Sequence, residues 1–137
     1  MNHWLIKSDP EDYAYDDLVR AKRDVWNGVR NNQALIYLRQ MQKGDQVMVY
    51  HSGKDKAVMG LAEIVRGPYP DPEAGDEKWV VVDLKPTTRL PRPIPLSVIK
   101  ADKAFARFQL VTISRLSVMP VPPDLWKKLC EMGGKQP

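Results

Sequence analysis

The run Trp26-Asn27-Gly28-Val29-Arg30-Asn31 concentrates more usable chemistry than any other stretch of the 137 residues. An indole is the broadest π-surface a side chain can offer a flat ligand. Gly28 can adopt positive φ and lets a ligand come close to the backbone. The Arg30 guanidinium carries a planar fork of donors that fits a phosphate or a base edge. Asn31 sets a donor beside an acceptor, the pattern needed to read a purine or pyrimidine edge. The same residues also suit a plain turn, with a core tryptophan, a paired arginine and an asparagine that caps a helix. Both readings stand at this point.

Tyr50-His51-Ser52 closes an apolar strand. Adjacent side chains on a regular strand point to opposite faces, so His51 and Ser52 make a poor nucleophile and base. Tyr50 and Ser52 share a face and set a π-surface beside a hydroxyl, or else form an exposed strand end. Metal chemistry finds little support. His3 and His51 are the only histidines, the single Cys130 has no CxxC partner, and no calcium-loop pattern occurs. No GxGxxG or GxxxxGK[ST] phosphate loop is present, and Lys7-Ser8 reverses the order an SxxK hydrolase would need. The expectation is therefore no metal, no cofactor and no catalytic constellation. Trp4 and Trp79 read as core residues, Gly60 as a strand bulge, and Asp71, Asp76 and Glu77 as solvated carboxylates.

The elements that must position these groups are short. His3 to Lys7 reads as a strand, ended at Ser8-Asp9-Pro10 because Pro10 lacks an amide donor. Tyr15 to Arg20 is a short helix with acidic residues in its first turn. Asp24 to Asn31 is expected to be a loop, followed by a helix over Gln33–Met41 that buries Leu35, Leu38 and Met41 with Ile36 at its margin. From Gly44 the apolar period changes to two, and Asp45–Ser52 with Ala57–Val65 forms a hairpin. Gly67 to Pro72 is expected to leave the sheet. Lys78–Leu84 is a strand that can extend to Thr88, and Arg89–Pro95 is a proline-stiffened connector. Leu96–Ala101 reads as a helix, Gln109–Ile113 as strand or helix, Leu116–Val118 as strand, and Pro123–Met132 as a final helix. Five or six short strands with short helices between them argue for one compact α+β domain over residues 1–137.

Composition sets the outer bounds. Hydrophobic residues make up 43% and charged residues 28%, which excludes a disordered chain. No apolar run reaches the roughly 20 residues of a membrane span, and the first residues lack a basic segment followed by an apolar one. The expectation is a cytoplasmic, reduced protein without a membrane partner. Residues 1–84 hold 11 Lys/Arg against 14 Asp/Glu, whereas residues 85–137 hold 10 against 3. A basic half points to an anionic partner, nucleic acid before membrane, or simply to a solvated surface.

Taken in order, WLIKSDP (4–10), WNGVRN (26–31), VYHS (49–52), GLAEIV (60–65), PYPDP (68–72) and RLSVMPV (115–121) closely resemble the EVE domain family. The six blocks span nearly the whole chain. The resemblance implies a PUA-like fold, a small bent β-barrel of five to six strands wrapped by short helices. It also implies a non-catalytic pocket for a modified nucleobase, such as methylated or hydroxymethylated cytosine, in DNA or RNA bound by a monomer. Carried over by position, Trp26, Gly28, Val29, Arg30 and Asn31 line or shape that pocket, with Lys7 and Ser8 from the first strand. Tyr50, His51 and Ser52 form its rim, while Tyr69 and Asp71 with Arg115 and Ser117 belong to matching blocks. Two other classes stay open on the sequence. One is an enzyme using His51 or Asp71 as acid or base; the other is a binder of a small metabolite or a protein.

Overall fold

Six strands form one mixed sheet in the computed structural model, which describes residues 2–135. The strands are β1 (His3–Ser8), β2 (Asp24–Trp26), β3 (Gln46–His51), β4 (Ala57–Pro70), β5 (Val80–Pro95) and β6 (Val118–Pro120), in the spatial order β2-β5-β4-β3-β1-β6. Next to the edge strand β6, β1 runs parallel to β3, with Lys7 opposite Tyr50 and Ser8 opposite His51. The remaining ladders are antiparallel. Among the described residues five α-helices flank the sheet, α1 (Tyr15–Ala21), α2 (Asn32–Gln40), α3 (Leu96–Ala101), α4 (Gln109–Thr112) and α5 (Pro123–Met132), with a 3-10 turn at Lys103–Phe105. The architecture is α+β, as expected. The barrel is not closed by hydrogen bonds, because β2 and β6 are the free ends of the strand order.

One apolar cluster runs from Trp4 to Cys130 and takes residues from both faces of the central strands. β3 is buried almost throughout, Val47 to His51, because helices cover one face and the curved sheet covers the other. Leu35, Leu38 and Met41 face this core from α2 and its C-cap, while Ile36 is exposed. Gln109–Thr112 is helical, and Leu116 and Ser117 precede β6 rather than lying in it. Among the described residues two carboxylates are buried, Asp45 and Asp83, and Asp45 accepts the Trp4 indole N–H at 2.9 Å and the Asn2 and Gln42 amides at 3.1 and 2.9 Å. Gly60 is required by packing. A Cβ there would lie 2.4 Å from Cζ of Tyr15, whose hydroxyl donates to the Leu61 carbonyl at 2.6 Å.

Three further expectations fail, all at strands. Asp24–Trp26 is not loop but β2, paired to β5 with Trp26 opposite Val82. The β-prone Val25 and Trp26 find an open strand edge there. Gly67–Pro70 does not leave the sheet. Register shifts between Ile64 and Arg66 and between Arg66 and Tyr69 place Pro68 in a bulge, and pairing resumes at Tyr69 opposite Val81. Arg89–Pro95 is not a connector but the second half of β5, with Ile94 opposite Val58. Beyond Leu84 that strand has β4 on one side only, and an unpaired edge tolerates proline's missing N–H.

Candidate nucleic-acid interface

The free ends of the sheet curve toward one another around a cleft of about 540 Å³, within the range of about 300–1,000 Å³ typical of small-ligand sites. One wall is the end of β1, with Lys7, Ser8 and the turn residues Asp9, Asp12 and Tyr13. The other is β2 with the following loop, Asp24 to Arg30, and Ser117 closes the side next to β6. Local bonds explain why these segments hold their places. The Lys7 N–H donates to the Ser117 carbonyl at 2.9 Å, the Ser8 hydroxyl to the Tyr13 carbonyl at 2.5 Å, and the Asp12 and Tyr13 amides to the Asp9 carbonyl at 3.0 and 2.8 Å.

Trp26 and Tyr13 make an aromatic corner. Their ring centres are 5.9 Å apart and their planes meet at 80°. The Tyr13 hydroxyl donates to Asp24 Oδ2 at 2.5 Å, and Asp24 Oδ1 accepts the Val25 amide at 2.8 Å. Burial first, then the bond to Asp24 and its charge, push the Tyr13 phenol far above its usual range, so it remains a donor at neutral pH. Gly28 sits at φ +79° with open space where a Cβ would be, so backbone conformation rather than crowding demands glycine. Val29 is buried beneath the loop. The Arg30 guanidinium lies 4.5 Å from the centre of the Trp79 ring, which also carries Lys78 at 4.5 Å. Trp79 is thus a half-buried stacking partner rather than a core residue.

Seven of the expected residues converge on this cleft: Lys7, Ser8, Trp26, Gly28, Val29, Arg30 and Ser117. The others lie elsewhere. Asn31 caps α2, its Oδ1 accepting the Ala34 amide at 3.0 Å. Tyr50 and Ser52 line a neighbouring cleft of about 310 Å³ that also contains Lys7. His51 is buried, with Nε2 accepting the Tyr15 amide at 2.9 Å and Nδ1 3.0 Å from Asp55, so it anchors the start of α1. The Tyr69 hydroxyl donates to Asp83 at 2.5 Å beneath Arg66. Asp71 accepts the Glu73 amide in a tight turn, and Arg115 is exposed.

Sequence reasoning missed Asp9, Asp12, Tyr13, Asp24 and Val25. The turn at Ser8-Asp9-Pro10 placed the first three beside β1, but only a strand over Asp24–Trp26 brings the last two across from them. Among the described residues no three His, Cys, Asp or Glu side chains gather as a metal ion would need, and no helix is long and apolar enough to cross a membrane.

The EVE domain model matches residues 2–132. The chain is 31% identical to human thymocyte nuclear protein 1, an alignment that takes in 99% of this chain and 76% of that protein. A solved protein of Agrobacterium tumefaciens is 36% identical at a TM-score of 0.95, and one of Rhodopseudomonas palustris is 40% identical at 0.92. Each covers 98% of this chain and 94% of its own. The human THYN1 protein in complex with 5-methylcytosine containing DNA superposes over the full length of both chains, with a TM-score of 0.88 and 31% identity. With a bent six-stranded sheet of this topology and a family match over nearly its whole length, the chain belongs to the EVE domain family.

Proposed function

We propose that this chain is a non-catalytic module that binds nucleic acid and takes one modified nucleobase into the Trp26 cleft. The observation that carries the reading is the corner of Trp26 and Tyr13 with the Asp24 carboxylate at its base. A base flipped from a duplex, or already unpaired, stacks on the indole, and such stacking is worth about 1–3 kcal/mol. Asp24 has lone pairs left after its two bonds, and a carboxylate is the natural acceptor for the exocyclic amine of cytosine. The relative solved with 5-methylcytosine containing DNA makes methylated cytosine the first ligand to test, and hydroxymethylated cytosine the second. On this reading the protein needs no cofactor, acts as a monomer in the cytoplasm, and releases its ligand unaltered. Asn31, His51, Tyr69 and Asp71 then serve by holding the frame rather than by touching the base.

The test is a tryptophan fluorescence titration with single- and double-stranded oligonucleotides carrying plain, methylated or hydroxymethylated cytosine. Saturable quenching that favours one modification, with the nucleoside recovered unchanged, supports a reader. Turnover of the nucleoside would instead favour an enzyme. Silence across the panel would favour a metabolite or protein ligand.

A further inference from the structure

We propose that the neighbouring cleft, between the end of β3, the turn at Lys56 and the α3–α4 segment, is a phosphate site that grips the nucleic-acid backbone beside the bound base. Its polar lining is Lys7, Tyr50, Ser52, Lys56, Lys100 and Ser114, and no carboxylate contributes to it. Lys7 belongs to both clefts, which therefore adjoin. None of the three lysines has a carboxylate within 4.0 Å among the described residues.

Two features show a site that is built rather than a scatter of surface charge. Tyr50 is only 3% exposed, yet its hydroxyl has no hydrogen-bond partner among the described residues, and its exposed remnant belongs to this lining. That hydroxyl reaches the open side of the cleft, where it is free to donate to a ligand. One of the cations is also positioned. The Lys7 ammonium donates to the Ser114 carbonyl at 2.8 Å and sits 5.7 Å from the centre of the Tyr50 ring. The Lys56 backbone is held at φ 45°, with its carbonyl accepting the Leu96 amide at 2.7 Å. Burial keeps the Lys7 ammonium below its usual pKa, a cost that a contacting anion would offset. Three ammonium groups with hydroxyl donors and no acid fit a phosphate monoester or diester.

The inference rests on the proposed base site for what lies next door, and the experiment separates the two. Lys56→Gln with Lys100→Gln, and separately Tyr50→Phe, would be titrated at several salt concentrations. The probes are 5-methyl-2′-deoxycytidine, its 5′-monophosphate, and a single-stranded oligonucleotide containing one such base. The slope of log affinity against log salt for the oligonucleotide should flatten by about 1 in the double variant, while nucleoside affinity stays within about twofold. Tyr50→Phe should weaken the oligonucleotide about three- to tenfold at an unchanged melting temperature. An unaltered slope with normal nucleoside binding overturns the phosphate site and spares the base site. A flattened slope in a protein that binds no nucleoside upholds the phosphate site and overturns the base reading. A loss confined to the monophosphate overturns the backbone assignment in favour of a free nucleotide.

Discussion

The Trp26 cleft and the lysine cleft share Lys7, yet they offer opposite chemistry. The first sets Asp9, Asp12 and Asp24 around an aromatic corner, whereas the second sets three lysines around a free phenol. Carboxylates repel a phosphate and accept from an exocyclic amine; ammonium groups do the reverse. The last residues of β1 produce the contrast. Ser8 faces the acidic cleft, and Lys7, on the opposite face beside Tyr50, reaches both. On the proposed reading, the end of one strand thus gives a base and its phosphate different partners, with Lys7 shared between them.

The largest test of that division is Trp26→Ala. It should cost up to about 3 kcal/mol in binding a methylated base and leave the salt dependence intact, which isothermal titration at two ionic strengths would read. A steeper or flatter salt slope would mean that the clefts are not separate. Asp24→Asn comes next. Losing a charged acceptor should weaken cytosine derivatives by about 2 kcal/mol while sparing thymidine, so competition between the two nucleosides is the measurement. Gly28→Ala forces a side chain to φ +79°, and should cost about 1 kcal/mol of stability, seen as a lower denaturant midpoint.

Tyr69→Phe should change least and should leave nucleoside affinity alone. Burial would raise the Asp83 carboxyl, but bonds from Tyr69 and Arg23 and the charges of Arg23 and Arg66 bring it below its ordinary value. With the folded pKa depressed, Asp83 stabilises fully above the unfolded pKa and loses that contribution as pH falls through the folded one. Removing the Tyr69 donor raises the folded value, so the variant should unfold at higher pH in an acid titration. An effect on nucleoside binding would draw Tyr69 into the site after all.

Much of this frame was legible in the residues. Leu96–Ala101 and Pro123–Met132 are helices with the boundaries expected, since prolines mark their starts and apolar spacing marks their faces. The strands were harder to read. Pro91, Pro93 and Pro95 signal an end to pairing, but that rule presumes a central strand, and the far half of β5 has a neighbour on one side only. The same blind spot hid half of the cleft. Trp26 stood out for its chemistry, but Tyr13 and Asp24 acquire theirs from each other, across a strand pairing that three residues could not announce. Asn31 shows the opposite case, a side chain fit for base reading that is already occupied at a helix cap.

On the proposed reading the base stacks at Trp26. The most direct measurement is nitrogen-15 NMR of the four indole N–H groups during titration with 5-methyl-2′-deoxycytidine. The Trp26 signal should shift and saturate, with a smaller response at Trp79 through Arg30, while Trp4, bonded to Asp45, and Trp126, packed on His3, stay in place. A saturating shift at Trp126 with Trp26 unmoved would contradict the account.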